Sequence, residues 1–473
     1  MTAPAARPRP ARRALDELSL TVDESTLATA GAGDPDWLLA DRRAAFDAWA
    51  SLPAESNVLY TPYIDLRGAR LEGATVVTRS SASASVPVSA DGADAGVQAL
   101  PDDIAAVLEL TDGVVTAAVL SAEAQSAGIT LTDLRSLLAS DPERARALLE
   151  TGPHLPATDK FAQQTRALWS QGVVLDVPAG VRLERPIVIR WVTGAAESAV
   201  LTRTLVHLGD GARVAIVEEL VGQVHAPPGP DATSGQSFFA GTTEVSLGRD
   251  ADLTVASLQE LPDHLIAIQH RVAEIGEGAA LHWALAQLGG RLVRGRVDNR
   301  LAGDRSSVEQ VEIVFGHGEQ LFDLTSYTTH VGRDTTGNLL SKGALLDGAK
   351  TYLKGLITIE KSAIGTDSFL GEFGMNLSKA ARSVAIPSLE IDQPDCRRAQ
   401  HASSVGPIDE AQLFYLESRG IPPDEARKFI VLGFLEPVVA RVPLASAQDR
   451  LRELLEAKWA AGVAPGGAVG AAA

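Results

Sequence analysis

The stretch Leu208-Gly209-Asp210-Gly211-Ala212-Arg213-Val214 returns, with changes, as Leu247-Gly248-Arg249-Asp250-Ala251-Asp252-Leu253 and as Ile275-Gly276-Glu277-Gly278-Ala279-Ala280-Leu281. A looser copy is Leu346-Asp347-Gly348-Ala349-Lys350-Thr351-Tyr352. Each copy carries an apolar residue, a small segment rich in glycine and aspartate, then another apolar run. Glycine supplies the positive-φ backbone of a tight corner, and alanine fits where coils crowd together. Between the corners lie short runs rich in Val, Ile, Leu and Thr, at 186–192, 213–218, 243–247, 253–258, 308–315 and 351–359. They have the composition and partial alternation of strands. Many short strands without intervening helices exclude a βαβ sheet and leave a sandwich, a barrel or a solenoid. The recurring corner favours a solenoid over 172–395, a parallel β-helix in which each coil lies on the last and like corners stack. A sandwich of facing sheets is the alternative.

Outside this block the texture is helical. Asp34-Pro35-Asp36 is a helix start, with Leu38, Leu39, Phe46 and Trp49 near one face behind it. Residues 108–120 read as a strand pair around Asp112-Gly113, and 131–138 and 142–149 as helices, the second capped by Asp141. Thr158-Asp159 opens another helix. The chain therefore divides into a tail at 1–33, a mainly helical region at 34–171, the β-helix, a C-terminal helical domain at 396–460, and a loose Ala/Gly tail at 461–473. Residues 80–96 are a low-complexity loop. In the C-terminal domain Asp409 caps a helix ended by Gly420, Pro422-Pro423 starts a second that Glu436-Pro437 stops, and Ser446 caps a third. Such helices can cap an open solenoid end or dock a partner.

The 473 residues carry a net charge of −18, which argues against a nucleic-acid binder. No apolar run approaches the roughly 20 residues that cross a bilayer. The single cysteine, Cys396, allows no intrachain disulfide and fits a reducing, cytoplasmic setting. Enzyme signatures are missing. Gly332-Arg333-Asp334-Thr335-Thr336-Gly337 has phosphate-loop spacing, but Asn338 stands where the lysine belongs. Single histidines such as His207, His270 and His282 read as structural. So do Asp323, His330 and Asp367, as ties between coils. Cys396 and His401, five residues apart near the end of the β block, can both bind a soft metal.

Leu389-Glu390-Ile391, then His401-Ala402-Ser403-Ser404-Val405-Gly406, then Asp409-Glu410-Ala411-Gln412-Leu413-Phe414-Tyr415-Leu416-Glu417-Ser418-Arg419-Gly420-Ile421, together resemble the signature of the SufB/SufD family of iron–sulfur cluster assembly scaffolds. Asp159-Lys160-Phe161-Ala162, Val177-Pro178-Ala179-Gly180-Val181 and Asn376-Leu377-Ser378 are similar too. The resemblance implies a right-handed parallel β-helix with a helical N-terminal region and a helical C-terminal cap. It implies a non-catalytic scaffold that pairs with a SufB-like chain and binds a SufC-like ABC-type ATPase. A transient iron–sulfur cluster or iron would sit at the interface, with no nucleotide on this chain and a homodimer possible in isolation. The chain looks closer to the SufD side, because the SufB pattern has a late-coil cysteine and nothing near Asp367-Ser368 supplies one. The SufD pattern carries a histidine that works with that cysteine across the interface, and His401 matches it. Many SufD sequences have Cys-Ser-His there. This one has Ala399-Gln400-His401, which leaves Cys396 as a second, displaced candidate. ATPase docking is expected at Asp409, Phe414, Tyr415, Arg419, Phe434 and Glu436. The readings set against this are a carbohydrate-active β-helix lyase or hydrolase and a SufB-like homodimeric scaffold.

Overall fold

The computed structural model describes residues 16–78, 100–222, 235–442 and 444–462. The low-complexity loop at 80–96, the first half of the expected N-terminal tail and nearly all of the C-terminal one lie outside them.

The core is a solenoid wound from two sheets of ten strands each. From Gln171–Val177 to Arg398–Pro407 successive strands alternate between the sheets, and every pairing within the solenoid is parallel. The first sheet runs from Thr130–Asp133 through Gln171–Val177, Ser198–Leu208, Ser237–Leu247, Leu265–Ile275, Leu292–Leu301, Leu321–His330 and Lys350–Ile359 to Arg382–Ile391. The second runs from the hairpin Ala106–Thr111 and Val114–Leu120 through Ile187–Thr193, Arg213–Gly222, Asp252–Glu260, Ala280–Gln287, Ser307–Gly316, Thr336–Leu345 and Asp367–Asn376 to Arg398–Pro407. This is the parallel β-helix that the corners predicted. Equivalent residues stack in register: Val177, Leu208, Leu247, Ile275, Leu301, His330, Ile359 and Ile391 form one inward ladder.

The corners stack through one repeated bond. Gly180, Gly211, Asp250, Gly278, Arg305, Asp334 and Gly365 all have positive φ, between 55° and 78°. Each donates its N–H to a carbonyl of the next corner, to Asp210, Arg249, Glu277, Asp304, Arg333, Ile364 and Asp395 in turn, at 2.7–2.8 Å. A left-handed residue aims its N–H along the solenoid axis, so each corner satisfies a donor that a tight turn would otherwise leave unpaired.

The N-terminal region covers the outer face of the first sheet. Its hairpin turns at Asp112 and Gly113, both at positive φ (44° and 82°), as the sequence implied. Asp141 and Asp159 cap Pro142–Thr151 and Lys160–Leu168. Three details differ from expectation. The helix Glu24–Ala30 lies within the stretch assigned to the tail, its Asp23 cap bonded to Thr26. Leu131 belongs to a strand, Thr130–Asp133, that pairs with Gln171–Val177 before the helix Leu134–Ser140 begins. The helix Pro423–Val439 runs through Pro437, because proline within its last turn removes only one bond.

The C-terminal helices lie along the flank of the solenoid rather than over its end. Val431, Leu435, Val438, Leu451, Leu454, Leu455 and Trp459 pack with Ala256, Ala284, Val311, Ile313, Phe315 and Ala344 on the outer face of the second sheet.

Candidate functional site at the open end of the solenoid

Because those helices take the flank, the last turn has nothing stacked on it among the described residues. Arg382–Ile391 and Arg398–Pro407 each pair on one side only, with Lys350–Ile359 and Asp367–Asn376. Each presents a free row of backbone donors and acceptors, the template on which another strand can add. The strand Arg398–Pro407 lies in the stretch assigned to the C-terminal helical domain. Its polar inner positions hid it, since a turn with no successor has no core to fill.

His401 lies on this strand. It is next in register to buried Leu370, which follows Leu339 on the same inward ladder. It therefore faces along the inside of the solenoid, yet it is exposed, as are Ser403 and Val405 beside it. No hydrogen bond or ion pair among the described residues holds its ring. Cys396 has a different setting. It sits in the corner before the strand, half-buried against the apolar cluster of Ile357, Ile359 and Ala363. Among the described residues no three His, Cys, Asp or Glu side chains are gathered so as to hold a metal ion. An exposed imidazole at an uncovered end fits an incomplete site, one that takes further ligands from another chain.

Behind His401 the interior holds acids that sequence reasoning missed. Glu312, Ser341, Glu372 and Ser403 are consecutive rungs of one inward ladder. Burial pushes the Glu312 carboxyl up to about 7 and the Glu372 carboxyl up to about 8. The signal was present, since each acid occupies the inward parity of its strand. The other candidates are structural ties. Asp323 is buried between Arg294 and Lys354. The His330 ring is buried and bonded to Thr335 at 2.8 Å and Ser368 at 3.0 Å, and burial holds it near 4 and neutral. Asp367 pairs with Arg398 at 2.6 Å.

The family model described as "SUF system FeS cluster assembly, SufBD core domain" matches residues 191–434, more than half of the chain. The chain belongs to the SufBD family. It is similar to the iron-sulfur cluster assembly protein SufD of Bacillus subtilis (strain 168), 28% identical over 340 residues, covering 72% of this chain and 76% of the relative. It is also similar to the iron-sulfur cluster assembly SufBD family protein Rv1462 of Mycobacterium tuberculosis, 29% identical over 310 residues, covering 63% of this chain and 74% of that one. The resemblance of the late cassette is thus borne out, and the SufBD core match runs from the early coils into the second C-terminal helix.

In this SufBD-family chain the expected docking residues divide into two groups. Asp409 caps Glu410–Ser418 by accepting from Ala411 and Gln412. That helix has no buried residue, and Phe414 is 71% exposed. Tyr415 is exposed, with the Arg419 guanidinium 5.2 Å over its ring. Phe429, on the next helix, is 58% exposed. Phe434 and Glu436 serve inside the chain instead. Phe434 packs on the flank under Lys342, and Glu436 pairs with Arg452 at 2.8 Å. No described helix is long and apolar enough to cross a membrane.

Proposed function

We propose that this chain is a SufD-like, non-catalytic scaffold subunit of a SufBCD-type complex, and that its solenoid end is where it joins a SufB-like chain. One observation carries the reading. His401 faces inward on the last strand, at an end that nothing covers and with no partner for its ring among the described residues. An added strand on this edge would bring the partner's residues opposite the ring. Imidazole nitrogen and a partner thiolate are both good ligands for iron, and a site split between two chains opens when they move. The iron–sulfur cluster is then cargo in transit, not a resident group.

The exposed pair Phe414 and Tyr415 supports a SufC-like ATPase on the C-terminal helices, because large exposed aromatics are typical anchors of protein interfaces. Nucleotide would stay on that ATPase. A cytoplasmic location follows if the cluster needs a reducing compartment, and two copies of this chain can meet at the same edge in isolation.

The test is reconstitution with a SufB-like chain and a SufC-like ATPase. His401→Ala should slow cluster formation, followed by visible absorption, at least tenfold while the complex still assembles. A wild-type rate overturns the reading.

A further inference from the structure

The inside of the solenoid ends in a carboxyl that no cation pairs with among the described residues. Glu372 is next in register to Ser403, and Leu370 to His401. Alternate residues of a strand share a face, so Glu372 and His401 open onto the same space, one strand and two residues apart. Diagonal neighbours of this kind lie roughly 7–8 Å apart, within reach of long side chains. Glu372 is 2% exposed. Its Oε2 accepts the backbone N–H of Ile386 at 3.0 Å. Among the described residues its Oε1 has no hydrogen bond, and it lies beside the Leu370 methyls, 2.9 Å from where a Cβ on Gly355 would stand. The facing position is a glycine, and the oxygen occupies space that any other side chain would fill.

Another inward acid has its cation. Glu218 is held by Arg271 at 2.7 Å and by Ser257 at 2.6 Å. Among the described residues no Lys or Arg pairs with Glu372. A buried carboxylate without a cation is costly, and a bound cation would offset that cost.

Resting on the reading of His401 as a ligand at the interface, we propose that Glu372 and His401 together bind one divalent transition-metal cation of the iron class at the solenoid mouth. Glu372 Oε1 supplies the oxygen ligand and the His401 ring the nitrogen. The Ile386 N–H fixes the carboxylate through its other oxygen, the orienting role that outer groups play at metal sites. The remaining positions fall to a neighbouring chain or to water. A carboxylate and an imidazole suit divalent iron before sulfur arrives.

The experiment titrates Co2+ into the full chain and into its complex with a SufB-like partner, without oxygen, followed by calorimetry and by the visible Co2+ bands. One site is expected. Glu372→Gln and His401→Ala should each weaken it at least tenfold, and Glu372→Gln should also shift the bands, since an oxygen ligand is lost. Gly355→Ala, whose Cβ would crowd both Oε1 and Leu370, should weaken it while the acid itself is kept. Glu312→Gln, two strands deeper, should leave it unchanged. A melting temperature of Glu372→Gln at or above wild type shows that the variant is folded. If Glu372→Gln binds as wild type while His401→Ala is weakened, the role of Glu372 is overturned and that of His401 stands. If both bind as wild type, or neither chain nor complex binds Co2+, both readings fall.

Discussion

Arg294 Nη2 donates to Glu55 Oε2 at 2.6 Å, tying the outer face of the solenoid to a segment 239 residues earlier. The same guanidinium meets Asp323 at 2.5 Å, and Lys354 closes the group on Asp323. All four side chains are buried, and their charges balance. Removing one acid leaves an uncompensated buried cation, which costs about 3–5 kcal/mol. Glu55→Gln should therefore lower the urea midpoint for release of the N-terminal region. Adding Lys354→Met, which restores the balance, should recover part of the loss. A double variant no better than Glu55→Gln would show that the charges are not coupled.

The two interior acids set a pH dependence. Burial raises the Glu372 carboxyl from 4.5 to about 8 and the Glu312 carboxyl from 4.5 to about 7. An acid with a raised folded pKa takes up a proton on folding when the pH lies between its unfolded and folded values. Stability from this source is intact below about 4.5, falls as pH rises, and levels off above about 8 for Glu372. Glu372→Gln removes that loss. The variant should match wild type near pH 4.5 and be more stable by about 1–4 kcal/mol at pH 8. Thermal melts at the two pH values, in chelator to remove stray cations, measure it.

The corner motif was legible because its chemistry is local. A left-handed corner favours glycine or aspartate, and such corners recur wherever a coil closes. The corner at Arg305 escaped notice because a long side chain holds the same conformation there, with φ 60°. The last strand escaped because a polar sequence is allowed where no further coil follows. Neither the Glu55–Arg294 contact nor the path of the C-terminal helices along the flank could be read locally. Both depend on which outer face each end of the chain covers. His401 was found through the resemblance of its cassette. Its inward direction and its exposure needed the register.

The corners permit a graded test. Gly211 and Gly278 both have positive φ, 67° and 66°, and both donate to the next corner. A Cβ on Gly211 would meet nothing within 4 Å, whereas one on Gly278 would stand 2.2 Å from Asp250 Oδ1. Gly211→Ala should cost only the left-handed backbone penalty, about 1 kcal/mol. Gly278→Ala should cost more, since Asp250 must also move. If adding Asp250→Ala to Gly278→Ala removes the excess, the contact is its source. Equal costs for the two single variants would rule that contact out.

The exposed C-terminal helix separates docking from stability. Phe414 and Tyr415 project from Glu410–Ser418, which buries no residue, whereas Leu435 and Trp459 pack into the flank. Surface truncations away from special features change stability by no more than about 0.5 kcal/mol, so Phe414→Ala and Tyr415→Ala should leave the melting temperature nearly unchanged. If the pair anchors a SufC-like ATPase, each should weaken its binding at least tenfold, because anchor residues commonly carry 2 kcal/mol or more. Leu435→Ala should behave in the opposite way. It opens a cavity against Phe315 and its neighbours, at a cost of about 2–5 kcal/mol, and should lower the melting temperature before it touches affinity. Calorimetric titration of the ATPase into all three variants distinguishes the two patterns. Unchanged affinity in both aromatic variants places the ATPase on another surface.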